Sequence, residues 1–299
     1  MKVLITGCNG LVACSLTKWL HSKGAEVLGT SVSGLTNPYL SREKYLPYDL
    51  TSADAPKFLL DAISPDVLVH TAAMTKPDVC ELQPEVCRLI NTEASGRLIT
   101  EAAQRNIRSV FLSSDFVFSG NHPPHDENSL DFPASSVYGL SKKEAEDVVM
   151  RNHPSAAIVR TALVYGFEPL LPRSNIFTWL LGELRFGRRV RVVSDQYRMP
   201  TYCDDLASGL GGLCFAEMSG IFHLAGADYL SVYEFALAVA EVFGFDADLI
   251  IPVETASLGE PAKRPPRTQL ISLRAQTDLG YAPGSLEENL VLLRGKIEG

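Results

Sequence analysis

The chain has 299 residues, 46% of them hydrophobic, which is enough to bury one large core or two moderate ones. Its net charge of −8 argues against a nucleic-acid partner, and no apolar run approaches the ~20 residues of a membrane span. The six cysteines form no C-x-x-C pair and no zinc-type spacing. We therefore expect no metal site, no membrane partner and a cytoplasmic location, where thiols stay reduced.

Short apolar runs alternate with amphipathic helical patterns through the first half of the chain. The runs predict buried strands at 2–6, 26–30, 67–70, 109–112 and 156–160. The patterns predict helices at 11–22, 85–105 and 137–151. Strands that alternate with helices form βαβ units, so we predict an α/β fold with a doubly wound parallel sheet of the Rossmann type.

After residue 165 the alternation is less regular, and prolines interrupt it. Helices are predicted at 176–186, 204–217, 232–243 and 286–293, and a loop at 261–267. The predicted organisation is a dinucleotide-binding domain over 1–165, its sheet completed by parts of 190–226. A smaller, mixed substrate-binding region covers mainly 166–299.

A glycine-containing turn joins the first strand to the first helix. Gly7 permits a tight turn, Gly10 allows close approach of a diphosphate, and Ala13 lets helix and strand pack closely. The amino end of the helix offers unpaired N–H groups and partial positive charge to an anion. The turn therefore predicts a dinucleotide-binding site that includes Asn9 and Leu11.

The end of the second strand bears on the choice of nucleotide. No acidic residue stands there to bind a ribose 2′-hydroxyl, and the hydroxyls of Thr30, Ser31 and Ser33 can bond a 2′-phosphate. We therefore expect NADP(H) rather than NAD(H), with Ser31 as a contact. Asp49 and Leu50 are assigned to the adenine end, although Asp49 is equally suited to cap the following segment.

A tyrosine and a lysine share one helix face at positions i and i+4, as Tyr138 and Lys142. A neighbouring ammonium is expected to lower the pKa of the phenol, so that Tyr138 exchanges a proton during a carbonyl–alcohol conversion. One hydroxyl of the pair Ser113–Ser114, at the end of the fourth strand, is placed to hydrogen-bond the substrate oxygen. The three features together predict a reductase.

Several segments resemble the extended short-chain dehydrogenases/reductases, most closely the dTDP-4-dehydrorhamnose reductase branch. They are FLSSDFVFSG at 111–120, HTAAMT at 70–75, RTALVYG at 160–166, DQYRMPT at 195–201 and RPPR at 264–267. The resemblance implies that Ser114 is the catalytic serine, that Ala72 and Ala73 lie under the cofactor, and that the substrate contacts are Thr75, Asn91, Asn175 and Arg198. Phe116 stands where that branch usually has tyrosine, and His70 where it usually has asparagine.

The resemblance implies NAD(P)H-dependent reduction of a 4-keto group on a nucleotide-linked 6-deoxy sugar, by a possible homodimer. Two alternatives stay open. One is an NAD-dependent sugar-nucleotide epimerase or dehydratase. The other is a non-catalytic NADP-binding regulatory subunit, like that of methionine adenosyltransferase. His122 and His125, beside Asp126 and Glu127, are interpreted as a solvated loop, and Cys80 and Cys87 as buried thiols.

Overall fold

A computed structural model describes residues 1–131, 133–171 and 174–299. Its strands are β1 (Lys2–Thr6), β2 (Glu26–Thr30), β3 (Val67–His70), β4 (Arg108–Leu112), β5 (Ala157–Arg160), β6 (Val164–Tyr165), β7 (Val190–Val193), β8 (Tyr197–Arg198), β9 (Thr201–Tyr202), β10 (Gly220–His223), β11 (Leu230–Ser231) and β12 (Ile250–Val253). Its α-helices are α1 (Leu11–Ser22), α2 (Ala55–Ile63), α3 (Pro77–Leu82), α4 (Pro84–Arg88), α5 (Ser95–Gln104), α6 (Val137–Asn152), α7 (Ile176–Arg185), α8 (Cys203–Phe215), α9 (Val232–Phe243), α10 (Leu273–Leu279) and α11 (Leu286–Glu298).

A parallel sheet of six strands forms the centre, in the order β2-β1-β3-β4-β5-β10. This confirms the predicted α/β Rossmann fold. In the register of the sheet, Thr6 lies opposite both Thr30 and His70, so these strands end together at one edge. The strand order reverses beside β1, which opens a crevice at the carboxyl ends, where ligands bind in doubly wound sheets.

Helices cover both faces of this sheet. On one face, apolar side chains of α1 and α8 pack on the strands, and on the other those of α2, α5 and α6 do. α8 and β10 therefore belong to the sheet unit although they come from the second half of the chain. The helix predicted at 85–105 is interrupted, since a π-helical segment (Leu89–Ala94) lies between α4 and α5.

The second half of the chain builds a separate apolar core. α7, α9 and α11 enclose it together with the parallel pair β7 and β12, and Tyr165, Phe177 and Phe235 are its fully buried aromatics. Leu11, at the start of α1, and Val164 in β6 pack against this core, which places it beside the carboxyl edge of the sheet. The short pairs β6–β9 and β8–β11 are separate from the central sheet. Across the described ranges, none of the helices has the length and apolar character needed to cross a bilayer.

A buried ion pair fastens α6 to the sheet. Arg160, at the end of β5, donates from Nε to Glu146 Oε1 (2.9 Å) and from Nη2 to Glu146 Oε2 (2.7 Å), and both side chains are buried. The two parallel hydrogen bonds fix the orientation as well as the distance. Glu146 lies one helical turn beyond Lys142, so the pair sets the position of the helix that carries Tyr138.

We predict that Glu146→Gln lowers the free energy of unfolding by ~3–5 kcal/mol, because it leaves the buried Arg160 charge uncompensated. Asp147→Asn, which removes the half-exposed partner of Lys143 on the same helix, is the matched control. Its expected cost is only about 0.3–0.5 kcal/mol. Urea denaturation at pH 7 measures both, and equal costs would contradict the role given to Glu146.

Candidate active site

The turn between β1 and α1 has the geometry of an anion cradle. Gly7 has φ +67°, and a Cβ at this residue would lie 2.7 Å from Ala72 Cα, so only glycine fits. Gly10 precedes α1, and in the described structure no side chain caps the helix and no acidic residue lies in its first turn. The first N–H groups of α1 are therefore free to bind a diphosphate.

Asn9 shapes the loop after β2 rather than the cradle itself. Its Nδ2 donates to Gly34 O (2.8 Å), and its Oδ1 accepts from the backbone N–H groups of Thr36 (2.9 Å) and Asn37 (3.3 Å). Both ends of the amide are thus occupied by protein. This differs from the direct cofactor contact that the sequence predicts, because the bonding partners come from a loop 25 to 28 residues further along the chain.

The hydroxyls at the end of β2 are not equivalent. The Thr30 side chain is completely buried and its hydroxyl cannot meet a cofactor, which corrects the expectation for this residue. Ser31 is half-buried and Ser33 is exposed. The Tyr45 hydroxyl donates to the backbone oxygens of both, at 3.1 Å for Ser31, and so holds this loop in place.

Asp54, not Asp49, stands at the amino end of α2, so Asp49 does not cap this helix and instead forms a turn ahead of it. Asp49 Oδ1 accepts from Thr51 N (2.9 Å) and Thr51 Oγ1 (2.8 Å), which closes the turn before α2. Leu50 is half-buried against the apolar core that lies between the sheet and helices α2, α5 and α6. Arg97 donates to Thr51 O (2.9 Å), so this turn is fixed to α5.

The loop after β3 is held from behind by Asn91. Met74 N donates to Asn91 Oδ1 (2.7 Å), while Asn91 Nδ2 donates to Met74 O (3.1 Å) and to Ser141 Oγ (3.0 Å). Asn91 is completely buried, so the predicted substrate contact is corrected to a structural role. Of the other predicted residues here, Ala72 and Ala73 are half-buried and Thr75 is exposed.

His70 ties three elements together beneath the cradle. Its Nδ1 bonds Thr6 Oγ1 (2.7 Å) and its Nε2 bonds Ser95 Oγ (2.8 Å), which joins β1 and β3 to α5. Burial lowers the pKa of His70 to about 3, so the ring is neutral. Thr6 Oγ1 in turn accepts from Ala72 N (3.4 Å), so His70 helps to position the loop that packs on Gly7.

The first turns of α6 bring Tyr138 to Ser114. Ser136 caps the helix by accepting from Gly139 N (3.2 Å), and Tyr138 follows in the first turn. The phenol is almost completely buried, meets the ring of Phe116 edge-on at 5.5 Å between centroids, and is hydrogen-bonded to Ser114. Ser113 does not share this contact, because its hydroxyl is buried without a partner in the described structure.

The ammonium of Lys142 is bonded to the backbone, whereas from the sequence it was expected to act on the phenol of Tyr138. Its Nζ donates to Leu112 O (2.7 Å) and stands 4.3 Å from the centroid of the Phe111 ring. Burial lowers its pKa to about 8, against the opposing effects of Glu146 and Cys87.

Burial likewise raises the pKa of Tyr138, and the hydrogen bond with Ser114 only partly opposes the rise. The prediction that an ammonium lowers the pKa of this phenol is therefore wrong for this state of the molecule. For each group, the effect of burial on its pKa exceeds the effect of nearby charge.

Two residues that were predicted to contact the substrate form hydrogen bonds with other residues of the protein. Arg198 is buried, and it donates from Nη1 to Tyr197 O (2.8 Å) and from Nη2 to Gln196 Oε1 (3.3 Å). Asn175 caps α7 by accepting from Phe177 N (3.0 Å) and donates to Gly166 O (2.9 Å). Both therefore shape the walls of the crevice.

Asn175 nevertheless lines a cavity of about 210 Å³ that also touches Leu11 at the start of α1. Phe167 and Glu168 form another part of its lining, and the Tyr39 hydroxyl donates to Glu168 Oε2 (3.0 Å). The cavity thus connects the diphosphate cradle with the second half of the chain. Sequence reasoning missed both Tyr39 and Glu168, which belong to separate loops.

A second set of residues that sequence reasoning missed surrounds Ser114. Asp115 is buried, accepts from Ser114 Oγ (3.0 Å) and lies 3.7 Å from Arg198 Nε. Thr268, beyond the predicted loop 261–267, donates to the other oxygen of Asp115. The segment around Arg264 is fastened across the crevice, since Arg264 Nη2 donates to Asp78 Oδ2 (2.7 Å) at the start of α3.

The histidine-containing loop is only partly solvated. His125 is completely buried, bonds Asp131 Oδ2 through Nε2 (2.8 Å) and stacks on Phe118 at 4.1 Å between centroids. His122 is exposed and lies 3.2 Å from Asp131 Oδ1. The solvated-loop interpretation is thus wrong for His125. Within the described residues, no group of three or more His, Cys, Asp or Glu side chains could hold a metal ion.

Fold and site together define an extended short-chain dehydrogenase/reductase with a nicotinamide-dinucleotide crevice. The profile of the RmlD substrate binding domain matches residues 1–294. The chain therefore belongs to the RmlD substrate binding domain family, a family of sugar-nucleotide reductase type.

Curated relatives include both a subunit and a reductase. The chain is 31% identical to methionine adenosyltransferase 2 subunit beta of Rattus norvegicus, over 92% of this chain and 82% of the relative. It is 30% identical to the probable low-salt glycan biosynthesis reductase Agl14 of Haloferax volcanii, over 98% of this chain and 97% of the relative.

Solved structures are similar over the whole chain. A dTDP-4-dehydrorhamnose reductase from Clostridium acetobutylicum is 28% identical, with a TM-score of 0.87 and 100% of both chains covered. A dTDP-4-dehydrorhamnose reductase from Bacillus anthracis, in complex with NADP, is 25% identical, with a TM-score of 0.82 and 99% of both chains covered.

We predict that Gly7→Ala weakens dinucleotide binding by at least about tenfold, or ~1.4 kcal/mol, because the new Cβ pushes the Ala72 backbone and distorts the cradle. Gly24→Ala is the matched control, since Gly24 has φ +73° and a Cβ added there would meet no atom within 4 Å. It carries the same left-handed strain, ~1–2 kcal/mol, without the collision. Titration with NADPH and with NADH, beside urea denaturation, measures both effects; unchanged affinity in Gly7→Ala contradicts the assignment.

Proposed function

We propose that this chain reduces a 4-keto group on a nucleotide-linked 6-deoxy sugar with NAD(P)H. The observation that carries the proposal is the contact between Ser114 and the buried phenol of Tyr138 at the carboxyl edge of the sheet. Two of the solved relatives are dTDP-4-dehydrorhamnose reductases, which supports the substrate class.

The residues of the crevice fit a dinucleotide. The uncapped start of α1 and the Gly7 turn suit its diphosphate, and Ala72 and Ala73 offer small side chains beside them. NADP(H) is favoured because Ser31 and Ser33 follow β2 where an acidic residue would repel a 2′-phosphate. When bound, the dinucleotide supplies the hydride.

Tyr138 supplies the proton in this proposal. Because burial raises its pKa, Tyr138 carries its proton at neutral pH and donates it to the oxygen of the keto group. Ser114 lies beside the phenol and holds the same oxygen. Lys142, which donates to Leu112 O and whose pKa burial lowers to about 8, would hold the ribose of the nicotinamide and assist the return of a proton to Tyr138.

The sugar nucleotide is proposed to enter from the side of the second apolar core. Thr75 is exposed at the mouth and contacts the substrate directly. Asn175 and Arg198 hold the walls through their bonds to Gly166 and Tyr197. We place the reaction in the cytoplasm, since the six cysteines are unpaired thiols. We also propose a homodimer, because Leu82, Val86 and Leu140 expose apolar side chains on α3, α4 and α6.

We predict that Tyr138→Phe lowers kcat by about 10²–10⁴-fold, the usual contribution of a general acid, and leaves NADPH affinity within twofold, or ~0.4 kcal/mol. The assay follows NADPH absorbance at 340 nm with dTDP-4-dehydro-6-deoxyhexose. Tyr233→Phe, on α9, is the matched control with wild-type turnover. Full activity of Tyr138→Phe rules out the assigned role. Product without net NADPH consumption indicates the epimerase or dehydratase alternative.

A second candidate function is regulation of methionine adenosyltransferase, favoured by the 31% identity to its subunit beta. In that case, the chain is expected to co-elute with a methionine adenosyltransferase catalytic subunit and to change its kinetics. Tyr138→Phe is expected to bind equally well, because a binding role does not use the phenolic proton. Absence of a complex at micromolar concentrations, together with sugar-nucleotide turnover, contradicts this candidate.

A further inference from the structure

An open cavity of about 550 Å³ lies beside the end of β10, the outermost strand of the central sheet. Its lining comes from residues 225–227 after β10, from residues between 270 and 283 around α10, and from Met199. β3, β4 and β5 lie between β10 and β1, which puts these two strands roughly 19 Å apart at ~4.8 Å per neighbouring pair. The cavity is therefore separate from the diphosphate cradle, and its volume falls within the roughly 300–1,000 Å³ of small-molecule sites.

The lining of this cavity is uncharged and mostly apolar. Within the described residues, no Asp, Glu, Lys or Arg lines it, and its largest apolar members are Met199, Leu270 and Tyr281. The Tyr281 hydroxyl donates to Ala225 O (3.2 Å), so the ring is the part that a ligand can contact. A charged ligand would lose water here without a counter-charge, whereas thioether and ring surfaces favour an aromatic ligand. The walls thus select an uncharged aromatic molecule.

The lining also holds a buried hydroxyl, that of Ser272. This residue is only 8% exposed, and its hydroxyl forms no hydrogen bond in the described structure. A buried hydroxyl left unpaired is unfavourable, and a ligand with one hydrogen-bonding group would satisfy it. Gln276, one helical turn further along the chain, is exposed and also lines the cavity. Apolar walls with a few polar groups are the composition of small-molecule sites.

We propose that this cavity is a second ligand site, which takes an uncharged aromatic molecule with one hydrogen-bonding group and regulates the crevice. The size and the uncharged walls of the cavity carry the binding part, and Ser272 supplies the polar contact. The regulatory part rests on the proposed function, since it acts on residues beside those assigned to keto reduction. A nucleotide does not fit this site, because its phosphates would have no counter-charge in the lining.

Met199 links the cavity to the crevice. Its Sδ accepts from Leu270 N (3.2 Å), and both residues line the cavity. Nearby residues on the same two segments hold Asp115: Arg198 Nε lies 3.7 Å from Asp115 Oδ2, and Thr268 Oγ1 donates to the same oxygen. A ligand that packs against Met199 and Leu270 restricts both segments. We therefore expect it to hold the carboxylate more firmly beside the serine hydroxyl from which it accepts, and so to favour the reactive arrangement.

A pair of fluorescent dyes tests the proposed class of ligand. N-phenyl-1-naphthylamine is an uncharged aromatic dye with one N–H group, and its fluorescence rises in apolar surroundings. Its sulfonated analogue, 8-anilinonaphthalene-1-sulfonate, has the same rings and a negative charge. Both are titrated into the protein with saturating NADP⁺, so that the dinucleotide crevice is filled. We expect the uncharged dye to bind at least about tenfold more tightly, because the sulfonate finds no counter-charge in the lining. Equal or tighter binding of the sulfonated dye overturns the proposed class.

Filling the cavity tests where the dye binds. Ala282 is an exposed member of the lining, so Ala282→Trp adds bulk there without replacing a buried side chain. We expect it to weaken binding of the uncharged dye at least about tenfold, because the indole occupies the space of the ligand. The matched control is Ala62→Trp, at an exposed position of α2 on the face of the sheet opposite α8, and it is expected to match the wild type.

Equal affinity of Ala282→Trp and Ala62→Trp for the uncharged dye overturns the site. If Ala282→Trp does not fold, Ala227→Trp carries the same comparison, since Ala227 is an exposed member of the lining next to β10. Ser272→Ala is expected to weaken the uncharged dye about threefold by removing the polar contact, and unchanged affinity contradicts that contact.

Kinetics test the regulatory part. The kcat/KM of sugar-nucleotide reduction is measured with and without saturating N-phenyl-1-naphthylamine, and the product is quantified by chromatography because the dye absorbs where NADPH does. We expect the dye to raise kcat/KM of the wild type at least about twofold and to leave that of Ala282→Trp unchanged. An unchanged or lowered value in the wild type overturns the regulatory part. Absence of turnover in the wild type instead contradicts the proposed function, and the dye titrations still decide about the site.

Discussion

The contact between Ser114 and Tyr138 depends on how α6 is fixed against the sheet. The bidentate pair of Glu146 and Arg160 provides that attachment, because it joins the middle of α6 to the end of β5 by two short, buried hydrogen bonds. β5 also pairs with β4, which ends at Leu112 just before the serines. One buried interaction thus sets the helix that carries the phenol relative to the strand that carries the hydroxyl. A displacement of about 1 Å between them would break the bond, since hydrogen bonds weaken steeply beyond ~3.5 Å.

Burial has a second consequence, which concerns charge rather than position. The crevice removes Tyr138 and Lys142 from water almost completely, and each is thereby shifted toward its neutral form. Sequence spacing showed that the two lie on one helix face, but it could not show that Lys142 reaches Leu112 O. Desolvation of a charged group costs several kcal/mol, more than a partly screened attraction over one helical turn returns. The phenol is therefore held as an acid.

Local patterns were sufficient to predict β1 to β5 of the central sheet, the Gly7 turn and the face shared by Tyr138 and Lys142, because each depends on neighbours within a few residues; β10 was not predicted as a strand. Side chains whose partners lie far along the chain were assigned less well. Asn91, Asn175 and Arg198 are the types that bind sugar nucleotides, yet their amide and guanidinium groups bond backbone atoms of the walls. The π-helical segment before α5 was not predicted, because the hydrophobic periodicity of 85–105 is that of a continuous helix.

The energetic cost of the buried pair bears on which proposed function fits better. A chain that only binds a dinucleotide needs the Gly7 turn and the free amino end of α1. It does not need a lysine buried so deeply that its pKa falls to about 8, or a carboxylate buried beside the serine. Each of these reduces stability, because the charged form is moved out of water. In the proposed function each of them has a use: Lys142 assists the return of a proton to Tyr138, and Asp115 accepts from the Ser114 hydroxyl and so holds it near the phenol.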